Sequence, residues 1–255
     1  MIRPVAIVAF LALAGTPASA GSAVPLVTDL AGDANGLGLP HIPGGQVRAI
    51  LGDALDQDPF GGGVSTGPAS YAPADILSVG YETEYEAIPV GEDGIDYRAT
   101  ALVVRMATAA TPASPAGNTA FTVYQHLREE GGGVCRSSLQ ITLAEGQGPG
   151  TYPVRWSQES QFESFCARES GTYTDPAWTA NVSSSGIEMR IPFSTLVGIE
   201  DLYVHEGATL ARTLGLTRSV SLVPQWDRTP LGADWTIGQD MPADVPCTRG
   251  CPAAS

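Results

Sequence analysis

From residue 77 to 86 the chain alternates. Leu77, Val79, Tyr81, Thr83 and Tyr85 fall on one face of an extended strand, and Ser78, Gly80, Glu82, Glu84 and Glu86 on the other. A period of two marks a half-buried β-strand, because successive side chains point to opposite faces of a sheet. The pattern predicts an inward apolar face and a solvated acidic outer face. Similar runs follow at 97–108, after the turn Gly91-Glu92-Asp93-Gly94, and at 118–127 and 134–143. Further candidates are 152–158, 160–168, 178–182 and 186–191, then one or two strands in 208–223 and a last one in 233–238. Residues 193–197 suit a single helical turn. Turn signals recur at intervals of roughly ten residues, the spacing of a β-sandwich or barrel.

Composition agrees with a chain broken into turns. Gly (30) and Pro (20) are abundant among the 255 residues, and only 16% are charged. Long solvated helices and coiled coils are therefore excluded. A hydrophobic share of 43% suffices for a sizeable core, which excludes an acidic disordered chain. All 13 basic residues are Arg, set against 27 acids, for a formal net charge of −14. Such a chain repels a polyanion, so nucleic acid is excluded as a partner.

The N-terminus reads as a secretory signal peptide over residues 1–20. Arg3 supplies the positive end, 5–14 the apolar run, and Ala18-Ser19-Ala20 the small-x-small cleavage pattern. The apolar run is short for a membrane span, and no later segment is longer. The expected protein is secreted, with no span in the mature chain and no preference as to oligomeric state. Residues 21–240 form one domain, opening with a Gly/Pro/Asp-rich loop region over 21–74. A Pro-rich tail covers 241–255.

Four cysteines fit an oxidising compartment and allow three pairings. Cys135–Cys166 with Cys247–Cys251 is favoured, because the second pair closes a short loop that ties the tail. Zinc is set aside, since Cys135 and Cys166 do not form the close pair a tetrathiolate site needs.

Three stretches invite a chemical reading. In residues 28–38, carboxylates and an amide (Asp29, Asp33, Asn35) alternate with glycines. Ca²⁺ takes six to eight oxygens from a flexible loop, so this is either a Ca²⁺ site or an acidic surface turn. The run 53–58 reads as solvated loop. Among aromatics, Tyr173 and Trp178 flank Thr174-Asp175-Pro176, and a turn there would expose both rings for stacking on a sugar face. The remaining enzyme signatures are poor. Gly63-Val64-Ser65-Thr66-Gly67 lacks the strand and helix of a nucleophile elbow. His41, His126 and His205 are far apart, and only a site assembled from distant residues would use them.

The order Asp29-Leu30-Ala31-Gly32-Asp33, then glycines, then Ala74-Asp75-Ile76 opening the first long strand, carries a family resemblance. It resembles the glucodextranase C-terminal-like modules, relatives of family 9 carbohydrate-binding modules and DOMON domains. Leu30 stands where those modules carry Pro, and Asp227 matches their late Asp. The resemblance implies an all-β, antiparallel, jelly-roll-like sandwich with a structural Ca²⁺ held by Asp29, Asp33 and Asp75. It also implies a non-catalytic module binding polysaccharide or cell-surface material. The alternatives are a secreted hydrolase and an envelope-associated protein that binds partners through a sheet edge.

Overall fold

The fold is known from a computed structural model, which describes residues 25–29, 31, 34, 72–90, 94–114, 118–128, 134–160, 171–197, 199, 204–220 and 225–240. The expected signal peptide, the tail, Asp33, Cys166, Cys247, Cys251 and the strand expected over 160–168, save Ser160, lie outside these residues.

The described residues form an antiparallel sheet with eleven strands: β1 (Val27–Thr28), β2 (Ile76–Val90), β3 (Gly94–Thr108), β4 (Thr119–Arg128), β5 (Val134–Leu143), β6 (Gly150–Ser160), β7 (Gly171–Ser183), β8 (Gly186–Pro192), β9 (Thr209–Ser219), β10 (Gln225–Arg228) and β11 (Trp235–Thr236). Two 3-10 turns, Ala72–Ala74 and Phe193–Thr195, are the only helical elements among the described residues. The all-β expectation holds. None of these helices is long and apolar enough to cross a membrane.

The strands run in the order β1-β2-β3-β8-β7-β6-β5-β4-β9-β10, with β11 also on β9. The sheet curls, so that β2 near one end meets β9 and β10 at the other. The curl encloses one core. Leu102, Val104 and Met106 of β3, Phe121 and Val123 of β4, Leu139 and Ile141 of β5, and Met189 and Ile191 of β8 are all buried in it. These residues recur at every second position, as a sheet with one face inside requires.

A bulge corrects the inner face expected for β2. Ile76 pairs with Thr108 and Ser78 with Ala107, leaving Leu77 as the extra residue. The parity flips there, so Ile76 is buried and Leu77 only half-buried, while Val79, Tyr81 and Thr83 keep the inward face. An extra residue in one strand has this effect because the side-chain period is two.

The outer acidic face of β2 is not simply solvated. Glu82 lies 2.9 Å from Arg105 of β3, which also bonds Glu188 of β8 at 3.1 Å. Arg190 of β8 donates twice to one Glu84 oxygen, at 2.7 and 2.8 Å, and at 3.0 Å to the other. Arg98 pairs with Glu86 at 2.7 Å. The neighbouring strands thus supply one arginine for each glutamate.

Two glycines are fixed by close approach. A Cβ at Gly186, which opens β8 at φ 144°, would lie 2.1 Å from the Met106 carbonyl oxygen. A Cβ at Gly215 in β9 would lie 2.8 Å from the Val79 side chain of β2. Gly215 therefore marks where the two ends of the curled sheet touch.

Candidate functional site

The meeting of β2 with β9 and β10 is a seam of polar contacts. The Ile76 amide donates to the Asp227 carboxylate at 2.6 Å, and the Arg228 amide to its other oxygen at 2.7 Å. Thr217 of β9 donates to the Ala74 carbonyl at 2.7 Å. Thr213 donates to the Tyr81 phenol oxygen at 3.1 Å. Farther along, the Thr83 amide donates to Asp240 at 2.7 Å, the Tyr85 hydroxyl donates to the same carboxylate at 3.0 Å, and the Gly238 amide donates to the Thr83 hydroxyl at 3.1 Å. The edge of β2 is thereby covered at its middle by the segment that follows β11. Covering an edge in this way satisfies its amides and blocks strand pairing with another chain.

Three aspartates fall at the start of this seam, two of them placed there by backbone bonds and one by its carboxylate. The Asp29 amide donates to the Leu77 carbonyl at 2.8 Å. Asp75 immediately precedes β2, is buried, and accepts the Ala109 amide at its carbonyl at 2.9 Å. Asp227 reaches the next residue, Ile76, and is fully buried. Residues far apart in sequence, Asp29, Asp75 and Asp227, are thus brought to the segment 75–77. Their hard oxygens suit Ca²⁺ in type. Among the described residues, however, no three His, Cys, Asp or Glu side chains stand together as a metal site. Both Asp227 oxygens already accept amides. Asp33 lies outside the described residues.

Trp178 is not exposed. The expectation of a turn at Thr174-Asp175-Pro176 is corrected, because these residues lie inside β7. Thr174 pairs with Arg155 and Thr179 with Pro153, so four residues, 175–178, bulge opposite Val154 alone. Asp175 accepts the Ala177 amide at 2.8 Å and shapes the bulge. The bulge turns Trp178 into the core at 1% exposure, edge-to-face with Trp156 at 6.3 Å between ring centroids. Its indole donates to Thr195 at 2.5 Å, and Thr195 in turn donates to the Pro192 carbonyl at 2.6 Å. Tyr173 is half-buried and packs against the same core. Trp156, Trp226 and Trp235 are buried as well, so none of the four Trp offers a surface platform.

Cys135 near the start of β5 is disulfide-bonded, and the other cysteines lie outside the described residues. His205 is exposed, its Nδ1 2.8 Å from the Glu206 carbonyl oxygen. His41 lies outside the described residues. His126 sits on the outer face of β4, opposite Arg136 of β5. Burial holds its imidazole below the ordinary histidine value, and Arg212, Arg136 and Arg128 add to the effect against the opposing pull of Asp234. Sequence reading passed over this arginine group. The hairpin spacing around Gly131-Gly132-Gly133 places His126 beside Arg136, but only the β4–β9 pairing adds Arg212. Comparison with protein families, with curated proteins and with solved structures finds no match to this chain.

Proposed function

We propose that the chain is a secreted, non-catalytic β-sandwich module, stabilised by Ca²⁺, that binds carbohydrate or cell-surface material. The observation that supports this reading is the convergence of Asp29, Asp75 and Asp227 on the start of β2. These are acids that the family resemblance picks out from distant parts of the sequence. Asp29 and Asp75, with Asp33 from the intervening loop, would hold the ion. Bound there, Ca²⁺ would offset the mutual repulsion of the carboxylates and tie the N-terminal loop to the seam. The role of Asp227 would be to position β2 through its amide bonds. With the tryptophans buried, ligand contact would fall to polar and charged side chains of the outer face.

The test is thermal unfolding of the purified mature protein in Ca²⁺ and in chelator, for wild type and Asp33→Ala. A ligand that binds only the folded state stabilises it by about 2.7 kcal/mol at one hundred times its Kd. The wild type should melt higher in Ca²⁺, and the variant should lose most of that gain. A wild type indifferent to chelator would sink the metal claim. Retention on a polysaccharide panel, with and without Ca²⁺, tests the binding claim separately.

A further inference from the structure

Strands β4, β5 and β9 contain no Asp or Glu, in a chain that carries 27 acids. Phe121 and Val123 of β4 point into the core, so Ala120 and Thr122 lie on the outer face. Ala120 stands opposite Arg218 of β9, and Thr122 opposite Leu216. On the β5 side, Thr142 and Gln140 stand opposite the same two residues of β4. On β10, Gln225 stands opposite Arg218 and Arg228 opposite Leu216. At these register positions the charged residues are both arginines. Elsewhere on the sheet the arginines meet acids, as Arg105 meets Glu82, Arg190 meets Glu84 and Arg128 meets Asp234.

Two donors on this patch are left over. Thr122 is fully buried, and its hydroxyl has no hydrogen-bond partner among the described residues. Arg218 is half-buried; its Nε is shielded from solvent and has no acceptor among the described residues either. The two are diagonal neighbours on the β4–β9 ladder, a separation of about 7–8 Å between Cα atoms that a long side chain spans. The acid nearest to Arg218 in sequence, Asp227, turns inward to the Ile76 and Arg228 amides. Buried donors without acceptors are rare, and a charged one is costlier than a neutral one. A hydroxyl and a guanidinium N–H side by side thus lack an acceptor that the neighbouring strands do not supply. The Nε–H and one Nη–H of a guanidinium match the two oxygens of a carboxylate, and the hydroxyl adds a third donor.

We propose that Arg218 and Thr122 form a carboxylate subsite on the outer face of β4 and β9, which takes the uronic-acid group of an acidic polysaccharide; this rests on the carbohydrate-binding reading above. Arg218 supplies the charge and the paired N–H donors, and Thr122 the hydroxyl. Arg218 is only partly buried, so the ligand approaches along its side chain. Arg228, diagonal to Arg218 across the β9–β10 ladder, keeps the local charge positive. Gln140 and Thr142, joined side chain to side chain at 3.4 Å, offer donors and acceptors to the neighbouring sugar hydroxyls.

Two measurements on the mature protein test it. The first is the melting of free Thr122→Val, which keeps the shape and removes the hydroxyl. It should be no less stable than the wild type, because the hydroxyl has no bond to lose. A clear loss of stability would show that the hydroxyl is already bonded in the free protein and would overturn the subsite. The second is electrophoresis through gels containing polygalacturonate, dextran sulfate or uncharged dextran. Retardation of the wild type is expected with polygalacturonate. Arg218→Lys, which keeps the charge and loses the paired donors, should bind it about tenfold more weakly, equivalent to about 1.4 kcal/mol. Thr122→Val should also bind more weakly, and it serves as the probe if Arg218→Lys does not fold. Arg98→Gln, at an exposed arginine of β3, should match the wild type. No retardation by polygalacturonate, or equal retardation of the wild type and both variants, would overturn the subsite. Retardation by uncharged dextran alone would overturn the subsite and leave the module reading intact. Stronger retardation by dextran sulfate than by polygalacturonate would overturn the carboxylate assignment.

Discussion

The carboxylate of Asp227 accepts the amide of Ile76 at 2.6 Å across 151 positions of sequence. This bond joins the two ends of the curled sheet where no continuous ladder does. Its second oxygen takes the Arg228 amide, so one fully buried side chain satisfies two backbone donors. Asp227→Ala leaves both amides without this acceptor. Each buried donor left unsatisfied costs about 1–3 kcal/mol, so a loss of roughly 3 kcal/mol is expected in urea unfolding. Asp227→Asn keeps one acceptor oxygen and should lose less. Equal stability of wild type and Asp227→Ala would show that the seam does not depend on this contact.

Gly215 tests the same seam through packing. Its missing side chain leaves room for Val79 and Ile76, at 2.8 and 3.1 Å from where a Cβ would stand. Both neighbours are fully buried and have little room to retreat. Overpacking of this kind costs about 1–3 kcal/mol, so Gly215→Val should fall in or above that range. Gly215→Ala should cost less, because one methyl group asks less of its neighbours. The denaturation midpoints of the two variants, taken with the slopes, measure the difference directly.

Glu82 makes stability depend on pH. It is 5% exposed, and burial raises its carboxyl above the ordinary glutamate value despite the opposing charge of Arg105. Asp240, Glu188 and Glu84 push in the same direction as burial. A raised folded-state value means that the folded chain holds the proton more tightly than the unfolded one. The resulting stability is full below the ordinary glutamate value and is lost as pH rises through the raised one. Glu82→Gln removes this titration while keeping the shape of the protonated acid. Its stability should match the wild type near pH 4, roughly where unfolded glutamate titrates. It should exceed the wild type increasingly as pH rises toward neutrality. Melting curves across that range check the sign, and a gap that widens toward acid would contradict it.

Much of the fold was legible because it is local. The strand at 134–143 falls where alternation and turn residues put it, and the short turn at 193–195 lies inside the expected segment. Period two also gave the inward face of β2 from Val79 to Thr83, beyond which the β2–β3 register shifts and Tyr85 is only half-buried. What alternation does not carry is a one-residue insertion: Leu77 and the bulge of 175–178 reverse or displace faces without changing composition. Thr174-Asp175-Pro176 has the residues of a turn and sits within a strand, because Asp175 closes its local bond inside a bulge. The arginines that meet Glu82, Glu84 and Glu86 come from β3 and β8, and strand order is not a local property. For the same reason the arginine group around His126 needed the β4–β9 pairing. The acids were partly legible. Asp29 stood out by spacing, whereas Asp75 and Asp227 entered through the family resemblance, and Asp227 is placed beside Ile76 by the curl of the sheet.

The burial of all four tryptophans bears directly on the proposed carbohydrate binding. Sugar-binding surfaces commonly present a flat ring to solvent, yet all four tryptophans are buried here, Trp178 beside Trp156 at a 63° interplanar angle. Edge-to-face packing of this kind stabilises the core by about 0.5–1.5 kcal/mol beyond the area the rings bury. Trp178→Ala should therefore cost about 3–5 kcal/mol, as large aromatic truncations in cores do. Trp178→Phe keeps a ring and loses the bond to Thr195, so it should fold with a smaller loss. Binding to any retained glycan should be unchanged in Trp178→Phe, because the ring does not reach the surface. The emission of the wild type should lie at short wavelength, resist iodide quenching and stay constant as ligand is added. A ligand-induced change in that emission, together with lost binding in Trp178→Phe, would place the ring in contact with the ligand and require the bulge at 175–178 to open.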